Sequence, residues 1–303
     1  MPAVLYQSEH SEQSEIGVQL FGQVLVNGVL LGGLYGLMAL GMGLVWGVLR
    51  IVNLAHGAII MLGGYTVYYL YTGAGVDIWL ALPLTMAIMF CFGYVLQRYL
   101  LNLIIRSAML NTLLITFGLN VVFVYMAQLA FSADYRTINP PFAGNNFEVL
   151  GITVPVVQFG AFVIALGLAA ALWLVLERST LGRAIRATAQ NLTAARLYGV
   201  NPKSIYAVTF GIGTALAGVS GGLFGMVSQV SPYMGLTLTA KSFVVAILGG
   251  LDNPLGVILG GLVLGIAEAM TALYLGPTYT DVISFGLLVL ILVARPAVLL
   301  EKA

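Results

Sequence analysis

Charge is what this sequence has least of. Asp, Glu, Lys and Arg make up 8% of its 303 residues while 60% are apolar, against about 25% charged residues in an ordinary soluble domain. A water-facing surface cannot be assembled from that composition, and at a mean hydropathy of +1.01 a soluble fold would expose more apolar area than solubility tolerates. Cysteine is nearly absent: Cys91 stands alone, which excludes a disulfide within the chain and reads as a small hydrophobe in an apolar stretch. There is no H-E-x-x-H, C-x-x-C or G-x-S-x-G, so neither a metal centre nor a catalytic nucleophile is indicated. No basic run is interleaved with aromatics, and a net charge of +1 gives nucleic acid little to hold. Residues 1–16 lack the basic start and short apolar core of a cleaved signal peptide; with Glu9, Glu12 and Glu15 they read as a retained, extracytoplasmic polar tail without structure.

What is present instead is a series of long apolar runs. A helix needs about 20 apolar residues to cross the bilayer core, where lipid offers backbone N–H and C=O groups no partner. Runs near 20–48, 57–72, 79–100, 107–131, 157–178, 203–230, 239–275 and 279–298 predict an all-α, polytopic transmembrane bundle of about eight spans, one membrane domain over 17–300. The seventh run is interrupted. Residues 239–250 are too few for a full crossing at about 1.5 Å each, so a half-helix broken at Gly249-Gly250 is expected, with an irregular turn at Asp252-Asn253-Pro254.

Basic residues set the orientation, because Lys and Arg in short loops resist translocation. With the N-terminal tail outside, Arg50, Arg98, Arg106, the loop from Arg178 to Lys203, and Arg295 and Lys302 all fall on the cytoplasmic side. That is ten of the twelve basic residues. The opposite side receives Asp77, Asp134, Glu148 and Asp281, with Arg136 as its basic residue. The expectation is tail outside and C-terminus inside.

Glycine is abundant, at 37 residues, and often spaced by four: Gly28, Gly32 and Gly36; Gly218 and Gly222; Gly261 and Gly265. Such spacing lines one helix face with small residues and lets backbones approach closely. Two segments also resemble each other, His56 to Gly64 and Lys241 to Gly250, each following a Gly-rich helix. They suggest an inverted repeat, a plan transporters use to build a pathway at the junction; chance similarity between apolar segments is the competing explanation.

Polar residues within apolar runs are costly in lipid and so are candidates for a translocation pathway. They are Asn53 and His56 where the first helix gives way to the second, and Lys241 and Glu268 in the last third; the adjoining Gly57 and the break at Gly249 and Gly250 join them as pathway candidates. Capping or internal pairing is the alternative for each. Gly235 to Ser242 nearly spells a phosphate-binding loop, but Ala240 replaces the second glycine and no strand precedes it. Asn191-Leu-Thr193 is a glycosylation sequon only in form, since it falls on the cytoplasmic side.

The loop 178–203 is the most informative segment. Asn191 is placed to cap a short helix over Ala194–Tyr198, and Gly199 supplies a left-handed stop before Asn201-Pro202. Its small-residue surface suits docking into a partner's cleft, with a plain topogenic connection as the alternative. Here the chain resembles LivH-type permeases of the binding-protein-dependent ABC importers for branched-chain amino acids. The resemblance rests on Asn53-Leu-Ala-His-Gly57, Gly182-Arg-Ala-x-Arg-Ala187, Ala194-Ala195, Gly199-Val-Asn201, Ala246-Ile-Leu-Gly-Gly250 and Gly265-Ile-Ala-Glu268, in order across almost the whole chain. One departure is that Gln190-Asn191 stands where the family usually has an acidic residue.

The resemblance implies a transport subunit with no cofactor and no enzymatic activity of its own. It pairs with a second, LivM-like permease, binds two cytoplasmic LivG/LivF-like ATPase subunits, and receives substrate from an extracytoplasmic binding protein. Gly182, Arg183, Arg186, Asn191, Ala194, Ala195, Gly199 and Asn201 would form the ATPase-coupling surface. Relatives of this permease type serving urea, short amides or aromatic acids leave the substrate open, and a self-sufficient channel or secondary transporter is the reading from another class.

Overall fold

In a computed structural model, residues 2–104, 109–149, 151–251 and 253–294 are described. Arg106, Asp252, Arg295 and Lys302 lie outside them, as do the side chains of residues 2–16. The helices are α1 (Pro2–Leu49), α2 (His56–Tyr68), α3 (Ile78–Leu96), α4 (Asn102–Ile104), α5 (Met109–Phe131), α6 (Val156–Arg178), α7 (Thr180–Gln190), α8 (Leu192–Leu197), α9 (Pro202–Val227), α10 (Met234–Gly249), α11 (Pro254–Tyr274) and α12 (Thr280–Ala294). Among the described residues six helices are long and apolar enough to cross a membrane, beginning at Gln19, Ile78, Leu110, Val156, Pro202 and Pro254. The all-α polytopic bundle read from the runs is therefore the fold. The polar start departs from expectation. No Gly or Pro interrupts residues 3–16, and α1 begins at Pro2.

One β-hairpin, absent from the sequence reading, sits between α5 and α6. β1 (Asn146–Val149) pairs antiparallel with β2 (Ile152–Pro155), and Gly151 takes φ +77° at the turn. Gln23 fastens it to α1: its Nε2 donates to Thr153 O at 2.7 Å and its Oε1 accepts from Thr153 N–H at 2.8 Å. The hairpin marks one end of the bundle. Arg136 and Val230 form a backbone bridge there, and the Tyr71 hydroxyl donates to Asn139 O at 3.2 Å. The loop 178–203 marks the other end, together with Arg50 and the α10–α11 turn.

Packing follows the glycines. α1 and α9 are mostly buried, whereas α5 and α6 turn most of their surface outward, as the lipid-facing periphery of a bundle does. α1 runs antiparallel to α11 with backbones in close approach: a methyl on Gly28 would stand 3.0 Å from Gly265 O, and one on Gly32 2.7 Å from Gly261 O. Apolar burial drives little of this association in lipid, so close van der Waals packing of small residues has to supply it.

The interrupted run resolves as α10 and α11 folded back on each other. Gly250 leaves α10 at φ +84°, and Asn253 caps α11 by accepting from the N–H groups of Leu255 at 3.1 Å and Gly256 at 3.2 Å. α10 is longer than expected, 16 residues starting at Met234, or about 24 Å. That length corrects the register of the suspected repeat. The short helices α2 and α10 do follow the long helices α1 and α9, and their first turns pack on each other at Gly57 and Gly235. The similar Gly-Gly pairs, however, are not equivalent. Gly63 lies inside α2 against Gly218, whereas Gly249 closes α10 against Gly256.

Candidate functional site

The loop 178–203 is built from two consecutive capped helices. Ser179 opens α7: its hydroxyl accepts from Gly182 N–H at 2.8 Å and donates to Val175 O at 2.5 Å. Only glycine fits at 182, because a methyl there would lie 2.2 Å from Leu176 O. Leu181, Ile185 and Thr188 recur at helical spacing toward the bundle, and Arg183 faces out. Arg186 donates to Leu176 O and pairs with Glu177 at 3.4 Å, so it braces α7 against the end of α6.

Asn191 then serves both helices. Its N–H donates to Ala187 O at 3.0 Å, ending α7, while its side-chain oxygen accepts from Ala194 N–H at 2.9 Å, opening α8. Gly199 stops α8 at φ +81°, and Asn201 caps α9 by accepting from Lys203 N–H at 3.1 Å. The capping roles expected of Asn191 and Gly199 are thus the ones the chain uses. Ala194 and Ala195 do not share one face. Ala195 is buried at 3% exposure, while Leu197 and Tyr198 stand 83% and 89% exposed. The large apolar side chains turned outward are therefore Leu197 at the end of α8 and Tyr198 just after it, and the motif-based reading passed over both.

The candidates for a pathway fall into two separate groups. Asn53, His56 and Gly57 meet at the junction of α1, α2 and α10. Asn53 Oδ1 accepts from Ala55 N–H at 3.1 Å, turning the chain into α2. His56, 2% exposed, donates from Nε2 to Met38 O at 2.9 Å. Gly57 N–H donates to Thr239 Oγ1 at 2.8 Å, and Thr239 in turn donates to Gly235 O at 3.0 Å. These residues weld three helices together.

Lys241 and Glu268 form the second group, with partners from four helices. Lys241 Nζ lies 2.9 Å from Glu268 and 3.5 Å from Asp281, and 3.3 Å from the Tyr35 hydroxyl. Tyr35 donates to Glu268 Oε2 at 2.8 Å and Ser284 to Glu268 Oε1 at 2.5 Å. Each charge thus finds its counter-charge and hydrogen bonds inside the bundle, the condition under which ionised groups persist in an apolar interior. The network ties α1, α10, α11 and α12 together. Tyr35, Asp281 and Ser284 were not among the sequence candidates; Tyr35 is 233 positions from Glu268, beyond the reach of any local pattern. Gly249 and Gly250 belong to neither group and shape the α10–α11 turn.

A glycine-zipped bundle of apolar helices long enough to cross a bilayer, carrying a two-helix loop at one end, is the architecture of a multi-pass membrane protein. The chain belongs to the branched-chain amino acid transport system / permease component family, whose model matches residues 24–292. It is 34% identical over 296 residues to the high-affinity branched-chain amino acid transport system permease protein BraD of Pseudomonas aeruginosa, covering 92% of this chain and 95% of that one. To the corresponding LivH of Escherichia coli it is 32% identical, covering 93% and 96%. To LivM of Salmonella typhimurium it is 29% identical, covering 88% of this chain and 68% of that one. The family is one of transport subunits, not enzymes.

Proposed function

We propose that this chain is the permease subunit of an ATP-driven importer for branched-chain amino acids, coupled to its ATPase subunits through the loop 178–203. The observation that carries the coupling is α8: a helix fixed at both ends by Asn191 and Gly199, which offers Leu197 and Tyr198 to solvent. Exposed large apolar side chains on a rigid support are what a partner's pocket can grip, and tyrosine is among the residues that dominate such contacts. Arg186, tied to Glu177 and Leu176 O, transmits displacement of the loop to α6. ATP acts on the bundle only through its different affinity for the two states of the assembly.

The likeness to LivH-type and LivM-type permeases alike supports pairing with a second, related permease. The scheme is completed by two ATPase subunits and an extracytoplasmic binding protein. Arg50, Arg98 and the basic residues of 178–203 share one end of the bundle, while Asp77, Asp134 and Glu148 belong to the other; this asymmetry supports the loop end as cytoplasmic and the N-terminus as outside. The polar tail and the single membrane domain of 17–300 fit the same scheme.

The test is uptake in proteoliposomes holding the full assembly with its binding protein. Leucine, isoleucine and valine should enter only with ATP, and urea, short amides and aromatic acids should not compete. Uptake by this chain alone without ATP would establish a self-sufficient channel or secondary transporter instead.

A further inference from the structure

At the hairpin end a cavity of about 190 Å³ lies between α1, α6, the end of α9 and α11. Leu30 and Leu34 of α1 and Ala161 of α6 are buried in its wall, and none of the described residues lining it is charged. Two amides supply its polarity, Asn27 and Gln158. The backbone of β2 sets which way the first of them points: Thr153 N–H and O fix the Gln23 amide, whose Nε2 also donates to Asn27 Oδ1 at 3.2 Å. Asn27 Nδ2 is left as a donor with no partner among the described residues, and the Gln158 amide has none either.

Helix ends add an electrostatic asymmetry. Gln158 lies in the first turn of α6, whose Pro155 cap offers no side-chain acceptor, and Val227, another lining residue, closes α9. The positive end of one helix dipole and the negative end of another thus border the same small chamber. That pairing suits a carboxylate and an ammonium group on one guest, and helix ends serve the charged groups of substrates and ions in this way inside membrane proteins. The volume sets the guest's size: an apolar cavity of about 150 Å³ accepts benzene, which has as many carbons as leucine.

We propose that this cavity is a low-affinity site for an aliphatic amino acid, whose branched side chain packs against Leu30, Leu34 and Ala161 while its carboxylate takes hydrogen bonds from Asn27 and Gln158 and its ammonium group faces the end of α9. With no formal charge among the described lining residues the guest is held weakly, as a site that must pass its occupant on requires. An acyl chain in the same place would leave both amides without a partner in apolar surroundings, which costs free energy. That the guest is the transported substrate rests on the proposed importer function, whereas the binding itself does not.

Photolabelling of the detergent-purified full chain with a diazirine analogue of leucine tests the site without ATPase or binding protein. Label should map to the segments of α1 and α6 that line the cavity and should be displaced by leucine. Gln158→Leu, at a partly exposed position, should weaken that displacement about tenfold, as loss of one hydrogen bond to a charged group does; Gln128→Leu, an amide of α5 off the cavity, should not. Leu31→Trp should remove the label from those segments by filling the chamber. Label confined to other segments, equal weakening in Gln128→Leu, undiminished displacement in Gln158→Leu, survival of the label in Leu31→Trp, or displacement by isoamyl alcohol as effective as by leucine, which would mark a purely apolar guest, each overturns the proposal. Absence of label beside intact ATP-driven leucine uptake would remove this site alone, whereas specific label with uptake independent of ATP would keep the site and remove the importer.

Discussion

Lys241 Nζ lies 2.9 Å from the Glu268 carboxylate, with the Lys241 side chain 13% exposed and that of Glu268 5% exposed. Such a pair adds little over an apolar packing of the same shape, yet leaving one partner alone costs about 3–5 kcal/mol. The expectation is asymmetric. Lys241→Met strands the buried carboxylate and should sharply lower the thermal midpoint in detergent. Glu268→Gln should cost less, because Asp281 remains 3.5 Å from Lys241. The double variant should recover most of the loss, as coupled neighbours do. A double variant as unstable as the sum of the singles would show that the two charges act separately.

Leu197 and Tyr198 should be needed for coupling and not for folding. Both are more than four-fifths exposed, so Leu197→Ser with Tyr198→Ser should leave the folding stability within about 0.5 kcal/mol of wild type, as is usual for surface changes. Binding-protein-stimulated ATP hydrolysis by the reconstituted assembly should fall at least about tenfold, since truncating an interface anchor costs about 2 kcal/mol or more. Retained stimulation would place the ATPase contact elsewhere.

Asn191 should matter through its cap rather than through charge. Asn191→Ala removes the acceptor for Ala194 N–H and should cost the loop about 1 kcal/mol, seen as faster tryptic cleavage at the exposed Arg196. Asn191→Asp keeps an acceptor for Ala194 N–H, so its cleavage should match wild type. Equal cleavage in all three proteins would remove Asn191 from the architecture of the loop.

These sites differ in how far the sequence alone exposes them, and the reason is range. The cap at Asn191, the stop at Gly199 and the break before Pro254 depend on residues within four positions, and each is legible locally. The amphipathic period of α7, with Leu181, Ile185 and Thr188 inward, is also local, but it lies within a segment whose basic residues suggest only topology. The partners of Glu268 come from three other helices, and no spacing announces them. The Gly-Gly resemblance misleads for a different reason. Glycine answers two needs, close helix crossing at Gly63 and a positive φ at Gly250, and composition does not say which.

Gly57 and Gly235 bring the first turns of α2 and α10 together, and that contact leaves no room for a side chain. A methyl on Gly57 would lie 1.7 Å from Gly235 O and 2.4 Å from Thr239 Oγ1, and a backbone carbonyl cannot swing aside as a side-chain end can. Gly57→Ala gains about 1 kcal/mol of helix propensity, but overpacking costs typically 1–3 kcal/mol and more where backbone is struck. The hydrogen bond from Gly57 N–H to Thr239 would be displaced as well. Net destabilisation is therefore expected, read as a lower thermal midpoint. Gly118→Ala is the control. It sits on the outer side of α5 with nothing within 4 Å of the added carbon, so only the propensity gain applies and the midpoint should hold or rise. If Gly57→Ala proved as stable as Gly118→Ala, the two short helices would not be packed through their first turns.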